Sequence, residues 1–237
     1  MLVTCTTLSL PKDGNTEDEY EDAAYPLVFS EAEEQPEFRC AVADGATETS
    51  FSGLWANLLV RGYVEAEPLE QSRKKWKEAI PSDGQPWYVE EKAQAGAYAA
   101  LVGLSLYAGG TWACEAVGDS CLIHIREKKI LQSFPLTSAE EFNNRPSLVC
   151  SIENPTSQIE FLHLRGDWQA GDKFLLLTDA IARWVLGKSE AELDEVCNLA
   201  SDIDLREFSN QQRSVLGEDG RSSLHNDDIT IMRVDVN

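Results

Sequence analysis

FRCAVADGATET, residues 38–49, is a short apolar run that stops at an acid and a glycine. Phe38 to Ala43 predicts a strand, and the strand delivers Asp44 to the rim of a sheet. The short Asp side chain has a fixed reach there, and Gly45 lets the backbone approach a neighbour closely or take a positive φ. Four other segments repeat the arrangement: YEDAA (20–24) with Glu21 and Asp22, EAVGDSCLIHI (115–125) with Asp119, DKFLLLTDAIARW (172–184) with Asp179, and NDDITIMRV (226–234) with Asp227 and Asp228. Any one of these acids alone reads as an ordinary turn residue or cap. Together they imply several carboxylates at the rim of one cleft. Two unit charges ~4 Å apart repel by about 4 kcal/mol at an effective dielectric of ~20. Such a cluster calls for hard divalent cations, which take oxygen ligands.

In this order the segments resemble the metal-dependent serine/threonine protein phosphatases of type 2C, in a minimal bacterial-type form. That family reads Glu-Asp, then Asp-Gly after a strand, then Gly-Asp-Ser, then Ser/Thr-Asp-Gly, then Asp-Asn before a β-branched strand. The likeness runs from about Glu21 to Val234. It implies two packed, mainly antiparallel β-sheets flanked by helices on both sides, an α/β sandwich. It also implies hydrolysis of phosphoserine and phosphothreonine monoesters on proteins by a water activated between two Mn²⁺ or Mg²⁺ ions. Asp44, Asp179 and Asp227 would carry catalysis. Asp44 would bridge the metals and the Gly45 carbonyl would reach one of them. Glu21 would serve the second metal, with Asp22 orienting it. Asp179 and Asp227 would hold the first, and Asp119 would support a third ion.

The chain departs from the family pattern at several places. Ala46 stands where many members carry a histidine, Thr47-Glu48 replaces Gly-Gly, and Thr178-Asp179-Ala180 replaces Ser-Asp-Gly. The TDA-x-A-x-W and DGA-T-E text is similar to that of a bacterial subgroup. An arginine usually precedes the Glu-Asp pair and clamps the substrate phosphate. Here Glu17, Asp18, Glu19 and Tyr20 precede Glu21, and the nearest basic residues are Lys12 and Arg39. That absence keeps a second reading open: a catalytically weak or inactive regulatory or binding module of the same fold. A third, a calcium-binding acidic protein, lacks an EF-hand loop.

Net charge is −21 over 237 residues, which argues against nucleic acid, whose phosphates attract basic patches. Nine acidic residues and no Lys or Arg lie between Glu17 and Glu37, read as a solvated loop. None of the six cysteines forms a C-x-x-C pair, so neither a zinc site nor a disulfide framework is expected, and a reducing cytoplasm fits. The first ten residues lack the cationic start and apolar stretch of a secretory leader. We expect a cytoplasmic monomer, off the membrane, with a phosphorylated protein as substrate.

Length suits a single domain spanning 1–237. Its expected strands are Leu2–Leu10, Phe38–Ala43, Trp112–Val117, Cys121–Arg126, Lys129–Phe134, Leu148–Ile152, Ile159–His163, Phe174–Thr178 and Ile229–Val234. Its expected helices are Ser50–Glu65 with Ser50 as N-cap, a basic amphipathic Leu69–Ile80, Ala180–Leu186, Glu190–Ala200 and Leu205–Val215, with Asp202–Asp204 as a break. Ala93 to Cys114 is uncharged for 22 residues; we read Trp87–Leu106 as a long buried helix ending at Gly109-Gly110, not as a membrane span. Phe134–Arg145 is less regular, with Pro135 and Pro146 at its ends, and the resemblance implies that it forms a short flap beside the site. His124 reads as structural, and His225, beside Asp227, as a candidate proton carrier.

Overall fold

The computed structural model describes the chain apart from residues 31–33, 47–50, 81–94, 144, 154–158 and 218–219. Strands β1 (Val3–Leu10), β3 (Val28–Ser30), β7 (Cys121–Arg126), β8 (Lys129–Phe134), β11 (Lys173–Leu177) and β12 (Ile229–Val236) form one sheet, in the order β3-β1-β12-β11-β7-β8. Strands β2 (Ala23–Tyr25), β4 (Glu37–Gly45), β5 (Tyr98–Tyr107), β6 (Thr111–Val117) and β10 (Leu162–Asp167) form the other, in the order β10-β6-β5-β4-β2, with β9 (Val149–Cys150) paired to the start of β5. All these pairings are antiparallel. Helices α1 (Ser52–Val64) and α2 (Leu69–Ala79) pack on the second sheet. Helices α3 (Asp179–Leu186), α4 (Glu190–Asn198) and α5 (Asp202–Ser214) pack on the first.

The two-residue period of a strand assigns the layers. In β11, Phe174 and Leu176 enter the core between the sheets, while Leu175 and Leu177 meet α3, α4 and α5. In β4, Cys40 and Val42 face the other sheet, and Ala41 and Ala43 face α1. Phe174, Leu175, Leu176 and Leu177 are wholly buried, each stabilising the fold by roughly 1.5–3 kcal/mol against exposure. Asp172, at the start of β11, accepts from Arg126 Nε and Nη2, both at 2.7 Å, and meets His124 Nε2 at 2.9 Å. The His124 ring stacks on Phe174 with centroids 4.4 Å apart, so His124 is a structural group held in the core.

The long helix expected over Trp87–Leu106 is corrected: Tyr98–Tyr107 is the central strand β5, and residues 87–94 lie outside the described part. Both faces of β5 are buried, so its apolar text shows no alternation and cannot be told from a buried helix by period. Val102, Leu104 and Leu106 face the first sheet, and Ala99 and Leu101 face α1. Gly103 leaves room for the Tyr63 ring, which a Cβ would meet at 2.4 Å. Among the described residues no helix is long and apolar enough to cross a membrane.

Smaller shifts have local causes. Helix α5 begins at Asp202, not Leu205, because Ser201 caps it by accepting from the Asp204 N–H at 3.2 Å. Asp202 and Asp204 then sit in the first turn, where negative charge suits the helix dipole. The strand expected at Leu148–Ile152 shrinks to Val149–Cys150, and the one at Ile159–His163 moves to Leu162–Asp167. The expected cap Ser50 lies outside the described residues. On α2 the basic face is largely tied down: Lys75 pairs with Glu67, Lys74 with Glu78, and Arg73 Nε donates to the Cys150 carbonyl.

Candidate active site

The functional acids sit where strands end. Phe38, Cys40 and Val42 face the other sheet, so the same alternation aims Asp44 into the seam between the sheets. Across that seam β11 ends, and Asp179 follows as the first residue of α3. Thr178 ties this end to β12: its N–H donates to the Thr230 carbonyl at 3.2 Å, and its hydroxyl accepts from the Thr230 N–H at 2.9 Å. Asp119 occupies the β6–β7 turn after Gly118, whose φ is 95°. Asp227 lies just before β12. Asp44, Gly45, Asp119, Asp179 and Asp227 line one cleft of about 540 Å³. Its other walls include Tyr98, Phe142, Asn143, Pro146, Arg183 and His225, so the short segment after β8 flanks the cleft as expected.

Behind this wall lies a second tier of acids. Asp22 is buried and accepts from the Thr230 hydroxyl at 2.8 Å. The Tyr20 hydroxyl bonds to the same Thr230 oxygen. Asp228 is also buried and accepts the backbone N–H of Lys12 at 2.8 Å and of Glu21 at 2.9 Å. Glu21 is not part of the cleft wall. Its carboxylate accepts from the Ser52 hydroxyl, and its carbonyl lies so near Gly45 that a Cβ there would stand 2.5 Å away. Arg213 of α5 holds the Asp227 loop by donating to the Asp227 carbonyl at 3.0 Å and pairing with Asp13 at 2.8 Å.

Crowding like charge in a partly dry seam raises proton affinity. Burial first, then the charges of Asp22, Asp179, Asp119 and Asp227, push the Asp44 carboxyl well above the usual range. Burial and then the charge of Asp227 raise Asp179. Burial and then Asp179 push Asp119 up to about 7. Asp22 is raised well above its ordinary value, chiefly by burial. Asp44 and Asp179 keep some surface open to the cleft, yet protein encloses their other sides. Among the described residues no three acidic, His or Cys side chains close tightly enough to hold an ion as they stand. The acids ring a cleft instead of forming a closed ligand set.

The sequence reading thus finds Asp44, Gly45, Asp119, Asp179 and Asp227 in one place, with Asp22 beneath them and Glu21 to one side. His225 does line the cleft. Neither Lys12 nor Arg39 lines it; the Arg39 guanidinium lies 4.6 Å over the Tyr63 ring, on the α1 side of its sheet. The reading missed the bridging work of Asp228, the hold of Arg213, and the position of Arg183. Arg183 follows Asp179 by four residues, which on a helix is the same face one turn on; that spacing was the available signal.

The sequence matches the family described as protein phosphatase 2C over residues 19–225. Among solved structures, the photosystem II phosphatase PBCP superposes with a TM-score of 0.65 at 16% identity, covering 99% of each chain. The S. agalactiae serine/threonine phosphatase gives 0.60 at 14% identity, covering 99% of this chain and 100% of that one. The catalytic domain of the serine/threonine protein phosphatase PstP, solved with 2 manganese ions, gives 0.54 at 14% identity over 99% of each. At such identities the likeness is one of fold. No curated protein matches the sequence.

Proposed function

Since the chain belongs to the protein phosphatase 2C family, we propose that it removes phosphate from phosphoserine and phosphothreonine on proteins, using two Mn²⁺ or Mg²⁺ ions and with room for a third at Asp119. One observation carries this reading: Asp44, Asp119, Asp179 and Asp227, from four separate segments, line a single cleft. The donor set fits hard cations, because it is all oxygen. Gly45 fits too, since even a methyl group there would strike the Glu21 carbonyl. Asp44 would be shared between ions, Asp179 and Asp227 would hold one, and Asp119 would hold the third. Bound cations would supply Lewis-acid polarisation of the phosphoryl oxygens and a more acidic water.

The chain's own residues do the rest. Asp228 fixes the Glu21 segment, and Asp22 holds Thr230 of β12, which in turn bonds Thr178 after β11, so the ring of acids is set before substrate arrives. Phe142, Asn143 and Pro146 border the mouth and narrow it. All six cysteines are free and buried, which suits the reducing cytoplasm.

The test is turnover of p-nitrophenyl phosphate and of a phosphothreonine peptide with Mn²⁺. Both activities are expected to vanish with excess chelator and in Asp44→Asn. Turnover that survives both would sink the mechanism. A wild-type protein that Mn²⁺ stabilises against heat but that cleaves neither substrate would instead be the binding module.

A further inference from the structure

We propose that Arg183 is the residue that grips the phosphoryl group of the substrate; this rests on the phosphatase reading above. A phosphate monoester brings negative charge into a cleft whose walls are already acidic. Cations balance that charge, but the phosphoryl oxygens also need directional donors. A guanidinium suits this best, because its planar fork of N–H groups matches two phosphate oxygens at once.

Arg183 is the arginine among the described residues that line the cleft. Its neighbours in α3 turn toward the core and leave Arg183 on the outward side of the helix, where it borders the cleft. Ile181, Ala182, Trp184 and Val185 are all buried, and Trp184 Nε1 donates to the Ser223 hydroxyl at 3.2 Å, which fixes the rotation of the helix. Arg183 alone in that run is exposed. It sits one helical turn beyond Asp179, about 5–6 Å apart at Cβ.

Despite that neighbour, the Arg183 guanidinium makes no hydrogen bond or ion pair among the described residues. The contrast with Arg213 is direct. Arg213 is buried and committed to Asp13 and to the Asp227 carbonyl, so it has a structural task. A long cation that borders four carboxylates and pairs with none keeps its donors for something else. His225, which also lines the cleft, is exposed too, but it presents no fork of donors.

Two other roles are conceivable and are separable. Arg183 as a solvated surface charge predicts no specific effect of its loss. Arg183 as a general counter-charge to the acids predicts a change in metal affinity, because its loss removes repulsion toward incoming cations.

The experiment compares wild type, Arg183→Ala, Arg183→Lys, and Arg206→Ala as an exposed α5 control of equal charge change. Three quantities are read: the Mn²⁺-induced rise in melting temperature, inorganic phosphate affinity in the Mn²⁺-loaded protein by calorimetry, and KM and kcat for p-nitrophenyl phosphate. In Arg183→Ala, phosphate affinity should fall and KM rise by roughly 10- to 100-fold, the weight of charge-assisted bonds, while the Mn²⁺ increment is kept or grows. Arg183→Lys should recover part of both, and Arg206→Ala should match wild type. Wild-type KM and phosphate affinity in Arg183→Ala overturn the proposal, as does an equal loss in Arg206→Ala. Loss of the Mn²⁺ increment along with phosphate binding also overturns it, since the residue would then act through the metals. If wild type itself shows no Mn²⁺ increment and no turnover, the phosphatase reading fails first and takes this one with it.

Discussion

Replacing Asp119 by Asn should strengthen the metal-free protein, and only above a certain pH. The residue is 9% exposed. Burial, then the charge of Asp179 and more weakly that of Asp227, push its proton affinity up to about 7, whereas an unfolded chain would release the proton near ~3.9. A carboxyl held more tightly in the fold stabilises it fully below the unfolded value. That contribution is lost as pH rises through the folded one. Moving from 3.8 to about 7 is worth ~4 kcal/mol at about 1.36 kcal/mol per pH unit. Water in the open cleft solvates part of the charge, which brings a realistic figure to ~2 kcal/mol. Asn has nearly the same shape and cannot ionise. In excess chelator, the variant minus wild-type difference should grow between about pH 4 and pH 8, reaching about 4–8 °C in melting temperature for a domain of this size. Comparing differences removes the titration of every other acid. With saturating Mn²⁺ at the upper pH the order should reverse, because wild type keeps an anionic ligand. A difference that is flat with pH, or a variant that melts lower in chelator at the upper pH, would refute the claim that these carboxylates crowd one cleft.

Gly45→Ala would put a Cβ 2.5 Å from the Glu21 carbonyl and 3.0 Å from the Ser52 backbone; overpacking of that kind costs roughly 1–3 kcal/mol, seen as a lower urea midpoint with unchanged m-value. Asp228→Ala leaves the N–H groups of Lys12 and Glu21 without their acceptor. We expect a loss of about 3 kcal/mol and faster hydrogen exchange at those two amides; unchanged protection there would contradict the bridging role. Asp172 is the opposite case to Asp119: burial alone would raise it, but the bonds from Arg126, the Gln169 N–H and His124 outweigh that and depress it to about 2. Its stabilisation should be present above about pH 4 and fade toward pH 2, so wild type should lose stability in acid over that window more steeply than Asp172→Asn does.

The acids of the site were legible because each borders an apolar run with its own period. Asp44 can be placed from Cys40 and Val42 alone, whereas Asp179 is placed by the end of the apolar run of β11, one residue beyond Thr178, where α3 begins. The partner strand β5 was misread, yet this did not move Asp44, because the alternation that aims it belongs to β4. The error had a physical source: a strand covered by a sheet on one face and by α1 on the other has no polar side to reveal its period. Conversely, the sandwich was reached through motif order, and not through a correct assignment of every element.

What stayed illegible is what joins distant parts of the chain. Asp228 accepts from Lys12 and Glu21, at separations of 216 and 207 residues, and no local pattern encodes such contacts. Glu21 illustrates the consequence. Its neighbours in sequence make it a ligand candidate equal to the others, but Asp228 holds its N–H and Ser52 its carboxylate, so it stands off the cleft wall. Arg183 is the intermediate case. Its spacing from Asp179 becomes informative once α3 is known to start at Asp179, and a start two residues later would have left the same two residues without a shared helical face. A helix boundary, the least reliable part of any sequence reading, is therefore what separates a surface arginine from one that lines the cleft.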